Sequence, residues 1–151
     1  MNLNSTNRQL LFHGLTLILA GLLWGLVVPA TPFPRLALGA HIQFMVNGML
    51  FVIMATMLIA LPNAVGPRSL RVMVIAAWLT WAMALSEVAN AWWGTQQTLP
   101  IAAAQAGATG AAPWQERIVT GAHVAAGLGL IVAWGLLITG FLRNARDTTS
   151  S

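Results

Sequence analysis

Six polar side chains interrupt otherwise apolar stretches of this sequence: His13, His41, Asn47, Glu87, Asn90 and His123. An ionisable or amide group costs free energy in an apolar medium unless it finds a partner, so such residues are functional candidates by default. Their types fit three kinds of chemistry. A carboxylate or imidazole can move a proton, an amide can orient a polar substrate atom, and an imidazole can ligate a metal. Glu87 is the only acid inside any apolar run, so it must be paired, protonated or wet, and His41 and His123 are the candidate partners. Glu87 and Asn90 are three residues apart and share one face of a helix. His41 and Gly48 are seven apart and also share a face, an arrangement expected to leave open space below the imidazole for a flat group such as haem. Asn47 projects roughly 120° away from His41 at about 100° per residue, so the two need not address the same side of a ligand. A lone helical histidine is more often a satisfied packing residue than a ligand. What carries weight is therefore the convergence of several such groups.

The elements that hold these residues follow from composition. Of the 151 residues, 58% are hydrophobic and only 7% are charged. A soluble domain is about one quarter charged, so water is not the main solvent of this chain. Four apolar runs, at about 10–28, 36–61, 70–93 and 118–142, are each long enough to cross a hydrocarbon core, which takes about 20 helical residues. Helices are expected because a bilayer offers backbone groups no water. The sequence therefore predicts an all-α fold, a four-helix up-down membrane bundle formed by a single domain over 1–151. Pro29, Pro32 and Pro34 are expected to end the first helix, and Pro62, Gly66 and Pro67 to form a tight turn. The link from Gly94 to Arg117 is long for so small a protein and is expected to be a lid or contact surface, with disorder as the alternative.

In such a bundle His41, Glu87, Asn90 and His123 fall in one layer, roughly 5–10 Å below one surface at about 1.5 Å per residue. Asn47 lies deeper, and His13 stands alone near the opposite face. Gly21 and Gly25, and again Gly121, Ala125 and Gly129, repeat at the small-x-x-x-small spacing that lets helix backbones approach within or between subunits.

All seven basic residues are arginines, and the formal net charge is +4. They are spread along the chain rather than clustered on one face, which excludes a nucleic-acid partner. Arg8, Arg68, Arg71, Arg143 and Arg146 fall on one side of the bundle, Arg35 and Arg117 on the other. The positive-inside rule then places both termini in the cytoplasm, as expected of a multi-pass protein of a bacterial inner membrane. Trp92, Trp93 and Trp114 mark the opposite interface. With no cysteine there is no disulfide, no thiolate metal site and no thiol nucleophile.

The segment Pro34-Arg35-Leu36-Ala37-Leu38-Gly39-Ala40-His41, followed by Asn47-Gly48-Met49, resembles the small membrane hydroxylaminobenzene mutases. So do Ala91-Trp92-Trp93-Gly94, Leu99-Pro100-Ile101-Ala102-Ala103 and the loop carrying Gln115-Glu116. The same H-x5-N-G-M pattern resembles the related styrene oxide isomerases, four-helix membrane enzymes that form trimers with haem b between subunits. The resemblance implies His41 as axial ligand of the haem iron; Gly48, by its spacing, and His123, by its matched depth, are the other expected cofactor-binding residues. It also implies Asn47 as a group near the substrate oxygen; with Asn90 orienting the same group and Glu87, the only acid in a span, shuttling the ring proton, these three are the expected catalytic residues. Ala89-Asn90 is similar to a W-A-N segment of the isomerases, which carry an aspartate shortly before it and a functional tyrosine shortly after. This chain has Glu87 and no tyrosine, a departure that favours the mutase over the epoxide isomerase.

The implied reaction converts hydroxylaminobenzene, an N-aryl hydroxylamine, to 2-aminophenol, with haem iron as Lewis acid, in a homotrimer that takes its aromatic substrate from the bilayer. The alternatives are an epoxide-to-aldehyde isomerase and, from another class, a cytochrome b subunit with His41 and His123 as paired haem ligands. A small transporter or structural subunit is a third class.

Overall fold

The computed structural model describes residues 3–149, so the two ends of the 1–151 domain lie outside the described residues. Its long helices are α1 (Leu3–Val27), α2 (Pro34–Ala60), α3 (Pro67–Trp93) and α5 (Pro113–Thr149), with a short α4 (Pro100–Ala106) between the last two. All four long helices are apolar enough to cross a membrane. The proline clusters fall at the helix breaks as expected, and four prolines also start helices. A 3-10 turn over Val28–Ala30 ends the first span, whereas Pro34, Pro67, Pro100 and Pro113 each open a helix. At a first helical position proline's missing amide has no partner to lose and its fixed φ is already helical.

Packing is uneven around the bundle. The most extensive interface joins α1 and α2, α3 packs on both, and α5 packs on α3. Glycines set the α1–α2 distance: a Cβ on Gly48 would lie 2.8 Å from the Gly14 carbonyl oxygen and 2.9 Å from the Ile18 amide nitrogen, and one on Gly14 would lie 2.8 Å from the Gly48 carbonyl oxygen. The space expected beneath His41 at Gly48 is therefore filled by helix α1. Gly48 is a backbone-contact residue and provides no floor for a cofactor within this subunit. Gly21 and Gly25 of the predicted motif do receive α2, through Phe44, Met45 and His41. The second predicted stripe divides: Gly129 packs on Ala76 and Leu79 of α3, while a Cβ on Gly121 would meet nothing within 4 Å.

The long link is ordered. Gly94 ends α3 at φ +66, a left-handed position suited to glycine, and a Cβ there would strike the Phe33 ring at 2.7 Å. α4 lies on α2 through a small apolar cluster of Leu36, Ala103 and Ala108 with Phe33. Arg35 Nε donates to Gln105 Oε1 at 2.8 Å and clasps the same contact. Trp93 and Trp114 meet edge to face, with centroids 5.2 Å apart, across the ends of α3 and α5. His13 is not alone, contrary to expectation: Trp81 Nε1 donates to its Nδ1 at 3.2 Å, and Trp78 stacks edge-on at 4.9 Å.

Candidate active site

Glu87 lies on α3 three turns or so past the Ala76–Leu79 contact, where α2 and α5 flank that helix. Its side chain is 0% exposed. From the α5 side His123 Nε2 approaches Oε1 at 3.2 Å. From the α2 side Gly39 comes so near that a Cβ there would sit 3.3 Å from Oε2, and that same Cβ would be 4.0 Å from Leu99 of the lid. Three helices and the lid thus enclose one carboxylate.

Neither carboxylate oxygen has an aligned hydrogen-bond partner among the described residues, nor does His123 Nε2, although the two groups are in contact. A buried carboxylate in this condition is expensive. Catalytic hydrogen bonds of unliganded sites are commonly loose and tighten around substrate. The histidine's tautomer adds a constraint. His123 Nδ1 donates to the Val119 carbonyl at 2.8 Å, and a carbonyl can only accept. Neutral His123 therefore turns a lone pair toward Glu87, so the contact is favourable only when the pair carries a proton between them.

Asn90 stands one turn further along α3 and is 1% exposed. Its Oδ1 accepts from the Thr95 backbone amide at 2.8 Å and from the Thr95 hydroxyl at 2.7 Å, while its Nδ2 is buried without a partner. The lid's first residues thereby fix the amide's orientation and leave its donor on the side of the Glu87 carboxylate, without an aligned bond. Asn47 differs: its Nδ2 donates to the Gln43 carbonyl at 2.8 Å and to Gln43 Oε1 at 2.9 Å. Both of its donors are engaged, and only the acceptor Oδ1 remains for a ligand.

Glu116 anchors the lid. Its buried carboxylate accepts from the backbone amides of Gln96 at 2.9 Å, Gln97 at 3.0 Å and Ala111 at 3.2 Å. The first turn of α5 so holds both arms of the loop that covers Glu87.

Of the expected layer, the structure unites Glu87, Asn90 and His123 and sets His41 apart. His41 Nδ1 donates to the Gly21 carbonyl of α1 at 2.8 Å, and its ring lies against Gly25. His123 faces Glu87 instead, so the two histidines are not arranged as a pair of axial ligands within the subunit, and no group of three metal-ligating side chains occurs among the described residues. His41 by itself fits a haem. A carbonyl bound at Nδ1 fixes the tautomer and leaves the Nε2 lone pair free, as second-shell acceptors do for ligating imidazoles. Residues beside it, Leu38, Ile42, Leu22 and Leu26, are exposed and apolar, as a flat hydrophobic group requires.

Sequence reading missed Gly39, Gln43, Thr95 and Leu99. Gly39, Gln43 and Asn47 recur every four residues on one face of α2, a spacing that was available. Thr95 and Leu99 lie beyond the end of α3, and only the folding back of the lid brings them to the site.

These features define a membrane enzyme whose polar groups are gathered at a helix-buried carboxylate. The chain matches the family model described as styrene oxide isomerase over residues 6–142, and it belongs to that family. It is 33% identical over 139 residues to hydroxylaminobenzene mutase HabB of Ectopseudomonas oleovorans, covering 91% of this chain and 82% of the relative. To hydroxylaminobenzene mutase HabA of the same organism it is 32% identical over 109 residues, covering 71% and 77%. The chain is an isomerase of the membrane. No solved structure matches it.

Proposed function

We propose that this isomerase converts hydroxylaminobenzene to 2-aminophenol. The carrying observation is the buried Glu87 carboxylate, in contact with His123 and with both oxygens unsatisfied. The names of two relatives supply the substrate class. In the reaction the N–O bond breaks, a C–O bond forms at the ortho carbon, that carbon loses its proton, and nitrogen gains one. No electrons are gained or lost overall. The step needs a group that accepts the ring proton and returns a proton to nitrogen, out of reach of water.

Glu87 with His123 is that group. The carboxylate takes the ring proton, and the imidazole, held by the Val119 carbonyl with Nε2 toward Glu87, stabilises the pair when it carries a proton. Asn90 Nδ2 donates to the migrating oxygen, and Asn47 Oδ1 accepts from the substrate's N–H. The lid, anchored by Glu116, excludes water. His41 would hold haem b, which when bound supplies Lewis acidity toward an oxygen leaving group. The haem and a homotrimer enclosing it belong to this proposal. The half-buried setting of His41, with exposed apolar residues on the same stretches of α1 and α2, supports both.

The test is incubation of purified protein with hydroxylaminobenzene in 18O-labelled water. Unlabelled 2-aminophenol is expected. Labelled product, or 4-aminophenol, would mean capture of water and would contradict an internal shift. The family model's description favours a second reading, epoxide-to-aldehyde isomerisation. In the same preparation, styrene oxide converted faster than hydroxylaminobenzene would establish that reading instead.

A further inference from the structure

α1 and α3 enclose a separate pocket of about 420 Å³, open at the side of the bundle and roughly half way along both helices. Phe12, His13, Thr16, Trp78 and Trp81 line it, with Gln9 at one end. None of these residues belongs to the Glu87 site. Its volume lies within the range of about 300–1,000 Å³ typical of small-molecule sites.

Two observations say what it would take. The walls are aromatic, and Trp78 and Trp81 are both held against His13. Aromatic rings favour edge-to-face or offset contact with another ring. The second is a hydrogen bond left open. Because His13 Nδ1 accepts the Trp81 indole N–H, the neutral imidazole carries its own proton on Nε2. His13 is only 7% exposed and lines the pocket, and among the described residues its one hydrogen bond is at Nδ1, which leaves the Nε2–H to whatever enters the pocket. A donor that faces hydrocarbon without an acceptor is costly, and a lipid chain cannot relieve it.

We propose that this pocket is a second binding site, for a neutral single-ring aromatic molecule bearing a hydrogen-bond acceptor such as a hydroxyl. The ring lies among Phe12, Trp78 and Trp81, and the acceptor takes the His13 Nε2–H. Such a molecule partitions into the bilayer, onto which the pocket opens. The site does not depend on which isomerisation the Glu87 centre performs.

The test is photolabelling of the full-length protein in phosphatidylcholine nanodiscs with 4-azidophenol, mapped by mass spectrometry. Adducts should concentrate on the peptides containing Phe12 and Trp78, and phenol should compete better than toluene. Trp78→Ala should weaken competition by phenol about fivefold, the scale of one lost aromatic contact. His13→Phe keeps a ring and removes the donor, so it should abolish the preference for phenol over toluene. If His13→Phe does not fold, Trp78→Ala decides, since its side chain is 59% exposed and bears little of the packing. Adducts spread evenly over the lipid-facing helices, or equal competition by phenol and toluene in the wild type, would overturn the proposal.

Discussion

Asn90 and Asn47 are the same residue type at similar burial, yet they present opposite chemistry. Asn90 has its oxygen fixed by Thr95 and turns its donor to the Glu87 side; Asn47 has its donors fixed by Gln43 and keeps a free acceptor. The sequence names both as polar groups in a span, but their polarity toward a ligand depends on neighbours that only the fold supplies. His41 is a parallel case. Its identity as a ligand candidate is legible in H-x5-N-G-M, whereas the Gly21 carbonyl that fixes its tautomer comes from another helix. His41→Ala is expected to give membrane-inserted protein without a Soret band. A variant with normal haem absorption, or a wild type purified from haem-replete cells without any, would remove haem from the account.

At the scale of elements, the spans were legible because a hydrophobic run of sufficient length has few alternatives in a bilayer. What pattern could not supply was the use of each glycine. Gly48 and Gly121 look alike in sequence, but one touches the backbone of α1 and the other touches nothing. Gly48→Ala should therefore destabilise by about 1–3 kcal/mol, the usual scale of overpacking against atoms that cannot move aside. Gly121→Ala should leave the thermal midpoint of the isolated subunit's fold nearly unchanged. Similar shifts for both would contradict the α1–α2 contact described. The lid was legible as a long polar link but not as a structured one. Its order comes from Glu116, a residue that reads as an ordinary helix-start acid until its three backbone donors are seen. Glu116→Ala leaves those part-buried amides without their acceptor, at about 1–3 kcal/mol in all. Hydrogen exchange should then accelerate at Gln96, Gln97 and Ala111, with the middle of α2 unaffected.

For the whole molecule, the arginine distribution and the fold point to one arrangement, with the lid and the Glu87 layer at the end away from Arg8, Arg68 and Arg71. A reporter fused to the C-terminus should read cytoplasmic, and a periplasmic signal would reverse the orientation while leaving the span count intact. The uneven packing, with α5 resting on α3 and broad apolar faces exposed, suits a chain that lies among lipids. Within that frame the central claim concerns one buried carboxylate, and its direct test is the turnover of Glu87→Gln with hydroxylaminobenzene. Glutamine keeps the size and hydrogen-bonding capacity of the side chain but cannot take up the ring proton. The variant should elute from size exclusion as the wild-type assembly does and turn over at least about tenfold more slowly, the scale of lost acid–base help. A Glu87→Gln protein that elutes normally and retains wild-type turnover would assign Glu87 to helix packing and contradict the mechanism.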